Sequence, residues 1–265
     1  MPLNPYHIEN QEPTLQQSLY VFMDILGYEE IVGQSISSED QQKMLRKLHQ
    51  ALEYARRTYL EHRPEDDLLV EAVGKQDYAL KGFTDNIVMG WPIGKDPRWS
   101  FEMAFDCLKH FQLTMIIEGF FIRGAISFGD IYIDETVVFG KPVMDAYKGE
   151  NRDARDPRII FTQSAADEIK KHRDKLGTQL YQRDILKDTD GRLFLNYLDS
   201  VMIAEEEYCP ISADVRSHKT RVEAELAKSR GNPSIWSKYA WVAKYHNDFC
   251  DQHSDEFNDE YKINF

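Results

Sequence analysis

The chain predicts an α+β fold, a mixed sheet with helices packed on it, followed by a helical C-terminal extension. Two observations carry this. Short β-prone apolar runs alternate with longer stretches whose apolar residues recur at three, four and seven, the spacing of one helix face. The resulting order, β-α-β-β-α-β-β-α-β-α-β and then helix alone, combines hairpins with crossovers. There is no internal repeat and no low-complexity linker.

Residues 1–17 are polar and Pro-containing and predict a flexible arm. Residues 18–26 form an apolar strand. Ser37-Ser38-Glu39-Asp40 opens a helix over 38–63, with Met44, Leu45, Leu48, Leu52, Tyr54 and Ala55 on its apolar side. Residues 76–91 predict a hairpin or a strand with its lead-in. Phe101, Ala104, Phe105, Leu108, Phe111 and Ile116 place a helix over 99–119, and Gly119 suits its end. Phe120–Phe128 is the clearest strand; Gly129-Asp130 reads as a turn and Ile131–Val138 as its hairpin return. A helix follows over 141–153, with Pro142 tolerated in its first turn. Arg158–Phe161 is a strand, Ser164–His172 a helix and Leu193–Tyr197 a strand. Residues 211–250 are helical, interrupted at Gly231-Asn-Pro233 and striped by Trp236, Tyr239, Trp241 and Tyr245. The expected division is an arm (1–17), one domain (18–200) and a helical extension (201–265).

The 265 residues are 42 % hydrophobic, enough for a substantial core. Against 32 basic residues stand 45 acidic ones, a net charge of −13. Such a chain is not built to bind nucleic-acid backbones or anionic lipid, although a few local cations and a metal suffice for a nucleotide. Cys107, Cys209 and Cys250 are scattered and read as reduced thiols. With no signal-peptide pattern and no apolar run near 18 residues, the expectation is a cytoplasmic protein without a membrane span.

Chemistry concentrates in two β-prone segments, Val21–Tyr28 and Phe83–Met89, each with one aspartate set among apolar residues: Asp24 and Asp85. A carboxylate in such a place costs free energy unless it is paired or binds a cation. If the strands are neighbours, the two converge into an oxygen-rich site for Mg²⁺ or Mn²⁺ holding phosphates. Gly27 permits close approach of the following turn, Ile25–Glu29, whose amides would face the phosphates. No P-loop, Cys/His nucleophile pair or zinc spacing is present.

Four segments carry a resemblance to the ferredoxin-like class III nucleotide cyclase domain, covering about residues 18–200. Phe22-Met-Asp-Ile-Leu-Gly-Tyr28 resembles F-x-D-I-x-G-F, and Lys81-Gly-Phe-Thr-Asp85 resembles K-x-x-G-D with Thr for Gly. Arg123-Gly-Ala-Ile-Ser-Phe-Gly129 resembles R-x-G-I-x-x-G. Val137 to Lys148 resembles D-x-x-G-x-x-V-N-x-A-x-R. Phe139 to Glu150, Asp156-Pro-Arg-Ile159 and the Lys238–Asn247 tail are similar to one branch, the Pycsar pyrimidine cyclases of bacterial anti-phage systems. That resemblance implies an enzyme making cyclic UMP from UTP as a second messenger for a separate effector. Cyclic CMP from CTP, a purine cyclase and a catalytically inactive nucleotide-binding module stand as alternatives.

The resemblance further implies two ions per site, Mn²⁺ or Mg²⁺, on Asp24, Asp85 and the Ile25 carbonyl. It implies a phosphate-binding Arg123, and substrate contacts from Phe22, Leu26, Gly27, Tyr28, Lys81, Val137 and Lys148. It implies a homodimer with sites at the interface, Asp24, Asp85 and Arg123 coming from one chain and Lys81, Val137 and Lys148 from the other. Three positions depart from the pattern. Val137 replaces the Asp that reads adenine, which leaves the adenine amino group unpaired and disfavours ATP. Met144 and Lys148 stand where an Asn and an Arg act in the transition state; either another cation substitutes, with Arg152, Arg155 and Arg158 near in sequence, or basal turnover is low. Arg192, Asp130, Asp134, His110 and His246 read as structural or surface residues.

Overall fold

Gln16–Ile25 (β1) pairs along its whole length with one neighbour and from Ser18 to Asp24 with another, and the sheet is built outward from it. The computed structural model describes residues 5–6, 13–33, 37–61, 79–83, 85–94, 97–176, 183–203 and 211–265. After β1 come α1 (Tyr28–Gly33), α2 (Ser38–Glu61), β2 (Ala79–Phe83), β3 (Asn86–Pro92) and α3 (Pro97–Ile117). Then follow β4 (Ile122–Ile133), β5 (Val138–Gly140), α4 (Lys141–Asp153), β6 (Ile159–Phe161) and α5 (Gln163–Leu176). Strands β7 (Ile185–Lys187) and β8 (Leu193–Leu195) lead through a 3₁₀ turn (Tyr197–Asp199) to α6 (Ser200–Ile203), α7 (Ile211–Ser229) and α8 (Pro233–Gln252). The strand order is β2-β3-β1-β4-β6-β8-β7, with β5 also on β4. Among the described residues only the β4–β6 pair is parallel, as the crossover through α4 requires.

Strand alternation sorts β1 between two faces. Leu19, Val21, Met23 and Ile25 enter the main core with Trp91, Phe101, Phe105, Phe111 and Ile169, under α2, α3 and α5. Tyr20 and Phe22 turn to the opposite face, where Ala146 of α4 packs. Asp24, two residues beyond Phe22, is therefore on the α4 face.

The expected α+β arrangement of mixed sheet and packed helices is the one observed. Helix α1 and strand β7 were not expected, and the β4 region differs. Ile131–Ile133 do not return as a hairpin but continue β4, still in register with β1 through Gln16↔Ile131. Gly129 passes the strand through at φ +147, and the turn comes later, where Asp134 Oδ1 accepts from the Thr136 and Val137 amides. The return is only β5. Of the expected arm, residues 1–4 and 7–12 lie outside the described residues. Tyr6 is buried and donates to Ser18 Oγ at 2.9 Å, and Gln16 and Gln17 already belong to β1. Among the described residues no helix is long and apolar enough to cross a membrane.

Two buried polar clusters hold the helices in place. Lys109 of α3 is fully buried and lies 2.5 Å from Asp184, 3.1 Å from Asp199 and 2.9 Å from Asp106. The aromatic stripe of α8 is core: Tyr239 meets Phe121 edge to face, and Tyr245 donates to Asn196. Behind it runs a chain of buried rings. Tyr197 Oη lies 2.8 Å from His218 Nε2, His218 Nδ1 lies 3.0 Å from His246 Nδ1, and His246 Nε2 lies 2.9 Å from the Tyr261 carbonyl. The carbonyl accepts only, so neutral His246 carries its proton on Nε2. His218 must then donate from Nδ1, and Tyr197 donates to His218 Nε2.

Every polar atom in that chain is satisfied with both imidazoles neutral. Burial pushes both histidines down; His246 adds to the shift at His218, while at His246 the Tyr261 carbonyl opposes it and Lys219 adds to it. An unfolded histidine takes up a proton below about 6.5, whereas the folded pair stays neutral. Stability should therefore fall as pH drops below 6.5, by about 1.4 kcal/mol per pH unit for each histidine still neutral. Urea unfolding of the parent and of His218→Phe between pH 8 and 5 checks this. The variant should show the shallower pH slope; equal slopes would show that the pair does not titrate this way.

Candidate active site

The β1 register places Asp24 between Asn86 on β3 and Arg123 on β4. Arg123 Nε and Nη2 each stand 3.2 Å from Asp24 Oδ2. The same Nη2 lies 2.8 Å from Glu150 Oε1 on α4. That oxygen has no directed hydrogen bond, so the contact is an ion pair without good N–H alignment. Asp85 sits at the β2–β3 turn; its carbonyl accepts from the Ile25 amide at 3.1 Å, and its Oδ1 accepts from Asn86 Nδ2 at 2.9 Å.

Asp24, Asp85 and Glu150 lie within electrostatic range of one another. Burial pushes the Asp24 carboxyl up; Arg123 opposes the shift and Asp85 adds to it. Burial likewise raises Glu150, with Arg123 opposing and Asp24 and Asp85 adding. Arg123 thus serves two carboxylates, Asp24 and Glu150, and Asp85 adds to the cost of ionising both. Lys238 of α8 also reaches this field: burial and Arg123 push its ammonium down, while Asp156 and Asp24 oppose.

The other expected site residues divide into two groups. Residues directly opposite in adjacent strands share a face, and Phe22 stands opposite Val88, which stands opposite Lys81. Phe22 and Lys81 are therefore on the Asp24 face, and Phe22 meets Tyr147 edge to face at 5.5 Å. Gly27 adopts φ +73 with open space where a Cβ would stand, and Tyr28 begins α1. Val137 and Lys148 are not brought to Asp24 within the chain. Val137 precedes β5 at the opposite end of β4 from Arg123. Lys148 is exposed on α4 and lines a separate cavity of about 460 Å³ with Asp145, Ser164 and Arg192.

Two expectations are corrected. The Ile25 and Leu26 amides do not face an open site; they donate to the Asp85 and Phe121 carbonyls. Arg158 is not a spare cation. It is buried between Asp188 and Asp190 and stacks on Trp241, while Arg155 donates to Ser237. Glu150 and Lys238 were missed. Glu150 follows Pro142 and Ala146 on the buried side of α4, so its helical spacing was a usable signal. Lys238 has no comparable mark, because the fold alone brings α8 to the sheet.

The donor set suits a hard divalent cation, since Asp24 and Asp85 offer carboxylate oxygen alone. Among the described residues no group of three or more His, Cys, Asp or Glu is placed to hold a metal ion, so the fit rests on this pair.

No family model and no curated protein matches the chain. Among solved structures it is similar to the guanylyl cyclase Cya2, at 11 % identity and TM-score 0.39 over 68 % of this chain and 91 % of that one. It is similar to the guanylyl cyclase domain of the RhoGC fusion protein from Blastocladiella emersonii, at 16 % and 0.40, over 68 % and 93 %. An adenylate/guanylate cyclase/hydrolase from Silicibacter pomeroyi gives 15 % and 0.34, over 68 % and 95 %. Likenesses of this size carry no argument, and the functional reading rests on the residues.

Gly124 is what lets Arg123 and Asp24 meet. A Cβ there would stand 2.6 Å from the Phe22 carbonyl and 2.8 Å from Met23 Cγ. Gly124→Ala should cost about 1–3 kcal/mol in urea unfolding, because the clash is partly with backbone that cannot swing away. Parental stability would show that β1 and β4 have slack at this point.

Proposed function

We propose that the chain is a nucleotide cyclase, closing a pyrimidine nucleoside triphosphate, UTP before CTP, to its 3′,5′-cyclic monophosphate. The observation that carries this is the charge arrangement at the end of β1: Asp24 and Glu150 share the Arg123 guanidinium, burial raises both, and Asp85 adds to each shift. A divalent cation there would favour the ionised carboxylates. Asp24 and Asp85 would hold Mn²⁺ or Mg²⁺, which when bound lowers the pKa of the attacking ribose hydroxyl and offsets phosphate charge. In the reaction the 3′-oxygen bonds to the α-phosphorus, its proton departs, and the bond to the leaving diphosphate breaks.

The protein's own groups then position and neutralise. Arg123 offers two nitrogens to a phosphate once Asp24 turns to its ligand, and Glu150 keeps that guanidinium anchored meanwhile. The exposed turn at Gly27 leaves room for the phosphates beside β1. Lys81 can donate to a pyrimidine carbonyl, whereas Val137 offers adenine's amino group no acceptor. By resemblance, the product would be a messenger for a separate effector in anti-phage defence.

Because Val137 and Lys148 stand away from Asp24, a complete site needs a second copy. Phe139, Met144, Tyr147 and Val137 expose 63, 53, 47 and 45 % of their surfaces at β5 and α4. Such a concentration of exposed large apolar residues supports a homodimer face. Phe139→Asp should convert a dimer to a monomer in analytical ultracentrifugation and abolish turnover. A dimeric variant would place the interface elsewhere.

Purified protein incubated with the four ribonucleoside triphosphates and Mn²⁺ should yield cyclic UMP, or cyclic CMP, by chromatography and mass. Asp85→Ala should reduce product by a factor of about 10³ or more with the fold intact. Cyclic AMP or GMP would overturn the base preference argued from Val137. Nucleotide binding without any product would favour the inactive module, a reading fed by Met144 and Lys148.

A further inference from the structure

Beside the site, but separated from it by the β1–α1 turn, lies a cavity of about 900 Å³ between the sheet domain and the helical tail. None of Asp24, Asp85, Arg123 and Glu150 lines it. Its apolar wall comes from Leu26, Ile31, Phe120, Phe121, Ile235 and Tyr239. Four cations face it, Lys43, Lys47, Arg221 and Lys228, against three carboxylates, in a protein of net charge −13. Asp40 accepts from Ser37, and Glu225 pairs with Lys228.

The cations converge on one point. A Cβ built on Gly119 would stand 3.4 Å from Lys47 Nζ and 3.8 Å from Arg221 Nη1. Gly119 has φ +90, so the space above it is kept open by a backbone conformation that other residues rarely adopt. Among the described residues neither cation has a carboxylate within ion-pair distance. Arg221 Nε is fixed by the Ile117 carbonyl at 2.6 Å, which leaves its terminal nitrogens directed elsewhere, and Lys47 lies 5.3 Å from the Phe120 ring centre. Burial and the neighbouring Arg221 push the Lys47 ammonium down and Lys228 adds to this, while Glu118 and Glu225 oppose it from beyond ion-pair distance.

We propose that this cavity binds a small phosphate ester with an apolar or aromatic body, the phosphate bridging Lys47 and Arg221 above Gly119 and the body lying on Phe120, Phe121 and Tyr239. Its size matches small-molecule sites, and two converging cations over an apolar wall are the donor pattern for such a ligand. An occupant touches Leu26 and Gly27 on one side and α7 and α8 on the other, so it bridges the turn leaving Asp24 and the tail.

The probe is 1-naphthyl phosphate, titrated by fluorescence into the full chain in metal-free buffer, with 1-naphthol as the uncharged arm. Naphthyl phosphate should bind and naphthol much more weakly. Lys47→Gln and Arg221→Lys should each weaken binding by about tenfold, because each removes one charge-assisted or forked contact. Asp85→Asn should not change it. Thermal unfolding of each variant checks that the fold persists, and Lys47→Gln disturbs no backbone contact. Absence of binding, or equal affinity in parent and Lys47→Gln, overturns the proposal. Loss in Asp85→Asn would place the probe in the candidate active site instead. No nucleotide turnover enters the assay, so its failure and that of the cyclase reading are separately visible.

Discussion

The antiparallel pairing of β1 with β4 is the constraint from which the rest follows. Its register runs unbroken from Gln16↔Ile131 to Ile25↔Ile122. A slip of one residue would turn Asp24 into the apolar core and bring Val21 and Met23 out of it. The core under α2, α3 and α5 thus protects the site without touching it. Four side chains that must be buried fix where one carboxylate emerges, and β3 fixes the turn that brings Asp85 beside it.

At that emergence a cation and its carboxylates lie closer to solvent than the comparable clusters of the frame. Lys109 and Arg158 are both buried, and each meets more than one carboxylate, so the positive charge there is matched in full. Around Arg123 carboxylates outnumber the cation in the same way, but the Arg123 side chain keeps 23 % of its surface exposed, against 0 % for Lys109 and 2 % for Arg158. Burial raises the cost of an unpaired carboxylate, and water cannot screen it well. The contrast between fully buried cations in the frame and a partly exposed guanidinium at the strand end separates groups that hold the structure from groups that a ligand can reach.

Much of the fold could be read locally. Helices α2, α3 and α4 follow from apolar spacing and start signals, and α4 spans the residues expected of it. The break at Asn232 is a true cap, its side chain accepting from the Ile235 amide ahead of Pro233. Where reading failed, the deciding information was not local. Gly129-Asp130 has the composition of a turn, yet pairing with β1 holds the strand through it. Strand β7 is three residues long and has meaning only beside β8. Convergence of Asp24 with Asp85 could be anticipated because both lie in β-prone runs. The approach of Glu150 and Lys238 depends on how α4 and α8 settle on the sheet, which no short window encodes.

The second hydrophobic cluster shows what the tail is to this molecule. It takes Leu113 and Ile116 from α3, Ile160 from β6 and Phe194 from β8, and joins them to Val222, Val242, Phe249 and Ile263. The last ordered turns are stitched in too, with Asn247 holding the Ile263 amide and carbonyl. Core of this kind has no seam along which the chain could be cut. A shortened protein ending near Ser200 would open a greasy wound across the end of the sheet, and a foreign domain grafted in place of the tail would inherit that wound. For this chain the tail belongs to the same cooperative unit as the strands, and any module exchanged between relatives would have to carry both.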